Sequence, residues 1–486
     1  MASIDESKIR EIVAQVVSNL TTKAAESPPK PAETAPKTPP DDAKPVLSGH
    51  GVFLTPEGAV EAARAAQREL VSQTLEQRKR IIEAMRDVGR RRAKELAELA
   101  VSETGLGRVE HKILKNEGAA NLSPGVEDIE SSATTGDYGA LIVERAPFGT
   151  LNAITPTTNP TSTVINNGII MVAAGNTVVF SPHPRAAKCS LQTMIYLNDA
   201  IVEAGGPRNV LTTVGNPSMR TASALMKHEG IDAIVATGGA GVVRAALESG
   251  KKAFAAGPGN PPALVDETAD IARAARDITA GASFDNCVLC IGEKECLAVE
   301  SVADKLVREL QNAGCYLVKP HELPLLMKTV IKDGHPNPDC IGKDAGVILE
   351  AAGIRAPRET LVAIFDAKLD HPLVMDEYLM PVLPIVRAKN FDEAVAFAVK
   401  AEGGRHHTAM IHTSRLDRIK TFAQAAQVSI YVVNGPSFTC GGIGGEGFLA
   451  MTVAGRTGEG FTRPRHFTIE RRTSLIGELS IHTKSV

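Results

Sequence analysis

Two cysteines three residues apart, Cys287 and Cys290, are the strongest candidates for chemistry in this chain of 486 residues. A thiolate is a strong nucleophile when a cleft exposes it on a fixed backbone, although an arbitrary cysteine more often lies buried in a core. A structural zinc site usually needs a second pair of ligands, and the sequence holds no second CxxC, HxxC or CxxH pair. We therefore expect no metal site, and Cys290 is the preferred nucleophile.

The elements that position Cys290 are a helix, a loop and a strand. Residues 270–279 are rich in alanine and begin at Asp270, so they predict a helix with an aspartate cap. The loop formers Gly281, Ser283, Asp285 and Asn286 follow. Residues 288–291 are short and apolar, which predicts a strand. This arrangement leaves the sulfur of Cys290 at a loop-to-strand junction.

Composition and charge exclude several classes of protein. The formal net charge of −3 favours neither nucleic acid nor an anionic membrane as a partner. Seven cysteines at irregular spacings indicate a reducing compartment rather than disulfides. The sequence shows no apolar run of membrane-spanning length and no secretory signal. We expect an enzyme of the α/β class.

The first 50 residues differ in pattern from the rest. Residues 1–20 predict an amphipathic helix with one apolar stripe, formed by Ile9, Ile12, Val13, Val16, Val17 and Leu20. Residues 21–50 are rich in proline, alanine and lysine and predict a disordered linker. A lone helix is marginally stable in water unless its apolar face packs against another surface. A helix that docked on its own chain would not need so long a linker. We predict a docking peptide for another protein.

From residue 51 onward, strand and helix patterns alternate in two runs. This alternation predicts two α/β domains with parallel sheets and a cleft between them. The boundaries expected are 51–264 and 265–435, with residues 436–486 returning to the first domain. The predicted strands lie at 140–144, 151–155, 177–181, 210–214, 233–237 and 252–256, and then at 297–299, 316–318, 361–365, 382–387, 409–412 and 429–433.

Glycine-rich turns follow several of these strands, at 237–241, 257–260 and 441–447. None is a GxGxxG motif followed by an acid about 20 residues later, so the common dinucleotide fingerprint is not met. Taken alone, each is more often a structural turn. The first closes a strand and opens a helix, which is a geometry suited to a pyrophosphate.

Together these motifs resemble the aldehyde dehydrogenase superfamily, and within it the CoA-acylating branch, over about residues 51–475. The resemblance rests on ITPTTNPTSTVINN (154–167), NTVVFSPHPRA (176–186), ATGGAGVV (236–243), AAGPGNPP (255–262), SFDNCVLC (283–290), MPVLPIVR (380–387), EGGRHHTA (402–409) and GGEGF (444–448). It implies an aldehyde dehydrogenase-like fold with a small β flap. A hairpin at 131–146 and a strand at 466–479 would pair between subunits of a homodimer or homotetramer.

The resemblance also implies the catalytic residues. Cys290 matches the nucleophile that adds to an aldehyde and later carries an acyl thioester. The oxyanion side chain aligns on Thr158 with Asn159 beside it, and we favour Asn159. His407 is expected to accept a proton or to polarise the site, with His406 as its competitor.

For the cofactor, the resemblance implies NAD. Gly238 and Gly239 match the turn that faces the pyrophosphate, and Glu377 matches the acid that holds the nicotinamide ribose. Ser181 replaces the lysine that hydrolytic relatives place on the adenosine ribose, which favours NAD over NADP. The remaining positions expected to border the cofactor are Thr155, Pro156, His183 and Gly257.

The fate of the thioester distinguishes the two branches. Hydrolytic relatives activate water with a glutamate just before a glycine pair, whereas no carboxylate occurs here between Glu248 and Asp266. Coenzyme A is therefore the expected acyl acceptor, entering the cleft after NADH leaves, with the loop 441–447 at its border. A CoA-independent aldehyde dehydrogenase and a non-catalytic cargo protein are the alternatives.

The N-terminal helix and linker resemble the encapsulation peptide of propionaldehyde and acetaldehyde dehydrogenases housed in bacterial microcompartments. The resemblance implies that residues 1–20 bind a shell protein and that the enzyme works in the bacterial cytoplasm inside a microcompartment. The substrate would be a short-chain aldehyde, with propionaldehyde and acetaldehyde both open.

Overall fold

The computed structural model describes residues 50–477. The helix predicted at 1–20 lies outside the described residues, as do nearly all of the linker at 21–50 and residues 478–486. The described residues all belong to one unit of the fold. None of the helices in this part of the chain is long and apolar enough to span a bilayer.

The strands of the described chain mostly coincide with runs of apolar or β-branched residues. In chain order they are β1 (Val52–Phe53), β2 (Ser132–Gly136), β3 (Gly139–Pro147), β4 (Thr150–Thr155), β5 (Thr177–Pro182), β6 (Leu211–Val214), β7 (Ala233–Thr237), β8 (Lys252–Ala256), β9 (Pro262–Val265), β10 (Glu295–Val299), β11 (Cys315–Leu317), β12 (Ile331–Lys332), β13 (His335–Pro336), β14 (Val362–Ala367), β15 (Val382–Ala388), β16 (Thr408–His412), β17 (Ile430–Val433), β18 (Val453–Ala454), β19 (Gly460–Phe461) and β20 (Thr468–Ile476).

The helices of the described chain connect these strands. They are α1 (Pro56–Ser72), α2 (Leu75–Arg91), α3 (Ala93–Thr104), α4 (Val109–Leu122), α5 (Pro160–Ala173), α6 (Ala187–Glu203), α7 (Met219–Lys227), α8 (Ala240–Leu247), α9 (Ile271–Ser283), α10 (Glu300–Asn312), α11 (Leu323–Val330), α12 (Ala345–Ala351), α13 (Pro372–Met375), α14 (Phe391–Glu402) and α15 (Leu416–Ala426).

The first large sheet has six parallel strands in the order β1-β6-β5-β4-β7-β8. Its central strands β4 and β5 are buried along their whole length. Burial on both faces is expected when helices cover a parallel sheet, and α5 and α6 contribute to that cover. The strands end toward loops at 156–159, 183–186, 238–239 and 257–260, where a ligand is expected.

The second large sheet has seven parallel strands in the order β11-β14-β15-β10-β9-β16-β17. The sequence patterns did not predict β9, which pairs with both β10 and β16. Because β9 covers Pro262–Val265, the second sheet begins before the expected boundary at residue 265. This strand is short and begins with a proline, so the sequence pattern did not predict it.

A three-stranded antiparallel sheet, in the order β2-β3-β20, stands apart from the two large sheets. It contains the hairpin predicted at 131–146 and most of the strand predicted at 466–479. Most side chains of β20 are exposed, and both outer strands leave an edge free within the described chain. This sheet is the predicted β flap.

In the sequence, Thr74 and Gln77 form a capping box that predicts one long helix running to about Glu103 and stopping at Gly105, and the structure differs from this prediction. Thr74 does cap its start by accepting a hydrogen bond from the backbone of Gln77, and Gly105 ends it in the left-handed region, at φ 68°. Between them, Arg92 leaves helical geometry at φ −100° and ψ 4°, so α2 and α3 are separate helices.

Candidate active site

The main cavity of the site has a volume of about 360 Å³ and lies where strands of the first sheet end. Loops after β4, β5, β7 and β8 form one side, and the segment around Cys290 and Glu377 forms the other. We call this cavity the cleft. Eleven of the twelve predicted site residues line it: Thr155, Pro156, Thr158, Asn159, Ser181, His183, Gly238, Gly239, Gly257, Cys290 and Glu377.

The backbone around Cys290 differs from the predicted strand. Helix α9 continues to Ser283, and residues 288–291 form turns rather than a strand. Asp285, Asn286 and Cys287 all have positive φ, at 49°, 54° and 59°. A non-glycine run in this region is strained, and such strain persists only where the surroundings hold it in place. Cys290 is partly exposed, whereas Cys287 is buried.

A buried ionic network holds this strained segment. The carboxylate of Asp285 accepts hydrogen bonds from the ammonium groups of Lys112, at 3.0 Å, and Lys115, and from the backbone N–H of Arg108 at 2.7 Å. Burial alone raises the pKa of Asp285, but the two ammonium groups hold it below its ordinary value. The sequence patterns did not identify either lysine, because α4 reads as an ordinary helix.

The same two lysines position the loop that carries Thr158 and Asn159. Lys112 donates to the backbone carbonyl of Thr158 at 3.0 Å, and Lys115 donates to Asn159 Oδ1 at 2.6 Å. Because an ammonium group can only donate, Asn159 must turn its oxygen toward Lys115 and its NH₂ group away. That NH₂ group donates one hydrogen bond to Thr158 Oγ1 at 3.1 Å and keeps a second hydrogen.

Lys294 is a second buried cation that the sequence patterns missed. Its ammonium group donates to the carbonyl oxygens of Cys287 and Leu289, at 2.8 and 3.0 Å, and contacts Cys287 Sγ at 3.2 Å. It therefore ties the two ends of the turn before Cys290. Burial and the charge of Glu377 raise the pKa of the Cys290 thiol to about 12, while Lys294 opposes that shift.

Glu377 is a buried carboxyl group on the cleft. Burial raises its pKa to about 7, although Lys294 and the backbone N–H of Gly259 oppose the shift. Its Oε1 atom has no hydrogen-bond partner among the described residues, and neither has Thr155 Oγ1. Among the described residues that line the cleft, Glu377 is the only carboxylate.

The glycines of the cleft leave room for a ligand. A Cβ atom at Gly239 would meet nothing within 4 Å, and at Gly238 or Gly257 its nearest neighbours lie at 3.7 and 3.8 Å. Protein packing therefore does not require glycine at these positions, whereas close approach of a ligand to the backbone would. Thr155 and Glu377 add oxygen atoms without a hydrogen-bond partner to this side of the cleft.

Ser181 and His183 occupy the far part of the cleft. Ser181 Oγ accepts a hydrogen bond from Asn152 at 2.8 Å, and His183 Nδ1 accepts one from the backbone of Arg185 at 3.1 Å. Burial and Arg185 lower the pKa of His183. No lysine or arginine lines the cleft among the described residues.

His407 is the predicted site residue that does not line the cleft. It is buried and borders a separate cavity of about 290 Å³, next to Gly257 and Pro258. Its Nδ1 lies 2.8 Å from Thr408 Oγ1, its Nε2 has no partner in the described chain, and burial lowers its pKa to about 4. Only Gly259 separates its ring from Cys290, since a Cβ there would lie 3.0 Å from His407 Cγ and 2.4 Å from the Cys290 carbonyl oxygen.

His406, the competing histidine, is exposed and turned elsewhere. Its Nδ1 lies 3.1 Å from the carbonyl oxygen of Gln427, and it borders none of the cavities around Cys290. His407 is therefore the histidine nearer to the nucleophile.

A second, smaller cavity of about 40 Å³ shares Cys290 and Asn159 with the cleft. We call it the inner pocket. Apart from Lys115 and Asn159 its walls are side chains of low polarity, including Phe284, Ile443 and Phe461. The loop 441–447 contributes Ile443 to this pocket and no residue to the cleft, in contrast to the expectation that it borders a CoA site there.

Comparisons with known proteins agree with this geometry. The chain matches the aldehyde dehydrogenase family over residues 55–318 and 361–447. It is 45% identical over 438 residues to the acetaldehyde dehydrogenase (acetylating) EutE of Escherichia coli (strain K12), which covers 89% of this chain and 93% of that protein.

Two solved structures share the fold closely. A propionaldehyde dehydrogenase from the Clostridium phytofermentans fucose utilisation bacterial microcompartment has a TM-score of 0.88 at 46% identity, covering 89% of this chain and 100% of that one. Rhodopseudomonas palustris propionaldehyde dehydrogenase, with bound CoA and an acylated cysteine, has a TM-score of 0.88 at 41% identity, covering 90% and 100%.

Two parallel sheets with a cysteine on a cleft at the strand ends define the class of this protein, an α/β oxidoreductase. The chain belongs to the aldehyde dehydrogenase family. The family and the fold predicted from the sequence motifs are therefore confirmed.

Proposed function

We propose that this protein is a CoA-acylating aldehyde dehydrogenase that converts a short-chain aldehyde, NAD⁺ and CoA into acyl-CoA and NADH. The observation that carries the proposal is the composition of the cleft. Cys290 lies on the cleft beside the turn at Gly238 and Gly239, and the strand end where hydrolytic relatives carry a glutamate offers only Ala256, Gly257 and Pro258. The acyl group on Cys290 then has no dedicated base to activate water.

In the first step the sulfur of Cys290 attacks the aldehyde carbon, and the carbonyl oxygen becomes an oxyanion. The thiol gives up its proton to solvent in the open cleft as the carbon–sulfur bond forms. The free hydrogen of the Asn159 NH₂ group and the backbone N–H of Cys290 are the donors for this oxyanion. Each such donor stabilises the transition state by roughly 3 kcal/mol.

The cleft residues would hold the cofactor for the second step. The turn at Gly238 and Gly239 suits the pyrophosphate, and Glu377 and Thr155 offer oxygens for ribose hydroxyl groups. When bound, NAD⁺ supplies the hydride acceptor and a positive charge near Cys290. Loss of hydride from the adduct carbon leaves an acyl thioester on the cysteine.

In the last step the thiol of CoA attacks the thioester, and Cys290 leaves as the thiolate or thiol. A CoA thiol is a better nucleophile than water at neutral pH. His407 is neutral and packs against Gly259, which also contacts the backbone carbonyl of Cys290, so we propose this histidine as the acceptor of the incoming thiol's proton. Thioester exchange is close to thermoneutral, so we expect the reaction to be reversible.

Glu377 supports a second candidate function, that of a CoA-independent aldehyde dehydrogenase. Its negative charge contributes to the raised pKa of Cys290, and a carboxyl group with a pKa of about 7 suits a general base. Bound cofactor would occupy its free oxygen during turnover, so we favour the acylating reaction.

The relatives also support a cellular setting. The solved structure from Clostridium phytofermentans comes from a microcompartment. We propose that this chain is likewise microcompartment cargo in the bacterial cytoplasm, that residues 1–20 bind a shell protein, and that the β flap pairs subunits in a homodimer or homotetramer.

The test is product analysis with the purified full-length chain, using propanal and NAD⁺ with and without CoA. We expect acyl-CoA and a strong rise in turnover when CoA is added. Cys290→Ala should abolish activity, while Cys340→Ala, a buried cysteine outside both cavities, should retain it. Equal formation of free carboxylate without CoA, lost in Glu377→Gln, would instead establish the hydrolytic reaction.

A further inference from the structure

The inner pocket has space for very few atoms. Its volume is about 40 Å³, and one water-sized group needs roughly 10–15 Å³ for its centre, so about three groups fit. An aldehyde bonded to Cys290 would fill it with the carbonyl carbon and one or two further carbons. Low polarity of the walls matches an alkyl chain rather than a hydroxylated or charged one.

One wall of the inner pocket is a rigid aromatic stack. The rings of Phe284 and Phe438 lie 4.9 Å apart in a tilted arrangement, and the ring of His111 stacks on Phe284 at 4.7 Å. The residue before Phe438 is also fixed, because Ser437 donates from its backbone and its hydroxyl to the buried carboxylate of Glu293. A longer substrate cannot displace this wall at low cost.

The facing wall is Ile443, on the glycine-rich loop 441–447. Gly442, Gly444 and Gly447 have φ values of 79°, 73° and 115°, so the loop follows a path that other residues rarely adopt. Helix α4 makes room for the isoleucine at Gly118, where a Cβ would lie 3.4 Å from Ile443 Cδ1. The loop thus places the branched side chain of Ile443 in the inner pocket, next to helix α4.

We propose that Ile443 determines the chain length of the aldehyde and limits it to two or three carbons. The inference rests on the proposed function, since it requires the acyl group to be carried by Cys290. Ile443 acts on specificity and touches the alkyl end of the substrate rather than the reacting carbonyl. From the sequence we expected the glycine-rich loop 441–447 to border a CoA site. On this proposal the loop instead determines which aldehyde the enzyme accepts.

The experiment measures kcat/KM for linear aldehydes of two to six carbons with NAD⁺ and CoA. In the natural chain we expect a fall of at least about 10-fold from propanal to butanal, since one methylene in a hydrophobic pocket changes rates by 10-fold or more. Ile443→Ala should raise the butanal-to-propanal ratio about 10-fold. Ile443→Phe should lower the propanal-to-acetaldehyde ratio by a similar factor.

The ratio of two substrates on one preparation does not depend on the fraction of folded enzyme. Ile419→Ala is the matched control, because Ile419 is a partly buried isoleucine that packs in another cluster and borders neither cavity. Its ratios should equal those of the natural chain.

Two outcomes would overturn the inference: hexanal used as well as propanal by the natural chain, or unchanged ratios in both Ile443 variants. Failure of the proposed function has a different signature, since Cys290→Ala would then retain activity or acyl-CoA would not form. The two failures are therefore distinguishable.

Discussion

Cys290, the proposed nucleophile, is protonated in the resting protein at neutral pH. Burial and Glu377 raise its pKa to about 12, and Lys294 offsets only part of that shift. A protonated thiol is inert toward alkylating and oxidising agents, whereas the thiolate is reactive. Positive charge delivered with NAD⁺ would lower the pKa at the moment when the aldehyde arrives, so reactivity would depend on the bound cofactor.

Alkylation of Cys290 by iodoacetamide should therefore be slow and strongly dependent on pH. A free cysteine has a pKa of about 8.5, so a pKa of about 12 reduces the thiolate fraction at pH 7 by roughly 10³-fold. Because the pKa is raised, the rate should still climb about 10-fold per pH unit between pH 7 and pH 10. Mass spectrometry of the labelled peptide gives the rate, and adding NAD⁺ should increase it.

A labelling rate at Cys290 that levels off below pH 9 in the absence of NAD⁺ would contradict this description of the thiol. The Cys290→Ala variant controls for labelling of the other cysteines.

Asn159 and Thr158 are adjacent, and only Asn159 lines both the cleft and the inner pocket. If its NH₂ group stabilises the oxyanion, Asn159→Ala should lower kcat by about 10²–10³-fold. Thr158→Val removes a hydroxyl group that borders the cleft alone, so its effect should stay below about 10-fold. Steady-state kinetics with propanal measures both variants.

Equal losses in the Asn159→Ala and Thr158→Val variants would show that the loop acts as a unit rather than through the asparagine. Circular dichroism of each variant verifies that the fold is retained.

At the scale of elements, helix α4 holds both the segment before Cys290 and the loop at Thr158 and Asn159 with the same two lysines. Lys112 and Lys115 bind Asp285 before Cys290, and they bind the loop at Thr158 and Asn159 as well. The two halves of the site are thereby fixed to one helix. Their relative position is set by charge-assisted hydrogen bonds, which are stronger than neutral ones.

Asp285→Asn should destabilise the protein by about 3–5 kcal/mol, because it leaves two buried ammonium groups without their carboxylate. The lysines hold the pKa of Asp285 below the ordinary value of 3.8. The contribution is therefore present above that pH and is lost as the pH falls through the lowered pKa. Urea unfolding at pH 7 measures the change in free energy.

The control for this prediction is Asp87→Asn. Asp87 pairs with Arg91 at 2.7 Å on an exposed helix surface, where an ion pair contributes less than about 1 kcal/mol. A change at Asp285 no larger than the change at Asp87 would show that the buried network is not stabilising.

At the scale of the molecule, the proposed chemistry and the proposed association belong to separate regions. The cleft and the inner pocket lie at the two large sheets, while the β flap stands apart with Tyr138 and Ile476 largely exposed. In the sequence, the linker predicted at 21–50 lies between the docking peptide predicted at 1–20 and the predicted enzyme body. We therefore expect that changes in residues 1–20 do not alter catalysis and that changes in the cleft do not alter targeting.

Deleting residues 1–20 should leave kcat/KM for propanal within about 2-fold and abolish association with a microcompartment shell protein. Activity is measured on the purified chain, and association by co-sedimentation with shells, with the full-length chain as control. Loss of activity on deletion would indicate that the peptide packs on the enzyme body.

The sequence by itself determined the family and the two parallel sheets, and nearly all of the site residues that it predicted, Cys290 among them, lie on the cleft. These features are local, because a strand, a glycine-rich turn or a cysteine after a loop can be recognised from a few consecutive residues. The missing base near Gly257 could also be read directly, because it depends on residue identity alone. The strand predicted at 288–291 and the single helix predicted after Thr74 were wrong. An apolar run does not reveal that the residues before it have positive φ, and a helical period does not reveal a break at one residue.

Only the tertiary structure decided how the site is held together. Lys112, Lys115 and Lys294 look like solvated surface residues in the sequence, yet each lies buried, Lys112 and Lys115 against Asp285 and Lys294 against the turn before Cys290. The separation of His407 from the cleft and the placement of Ile443 in the inner pocket likewise depend on contacts across more than 100 residues. Such contacts are set by packing between distant elements, and no local pattern of residues records them.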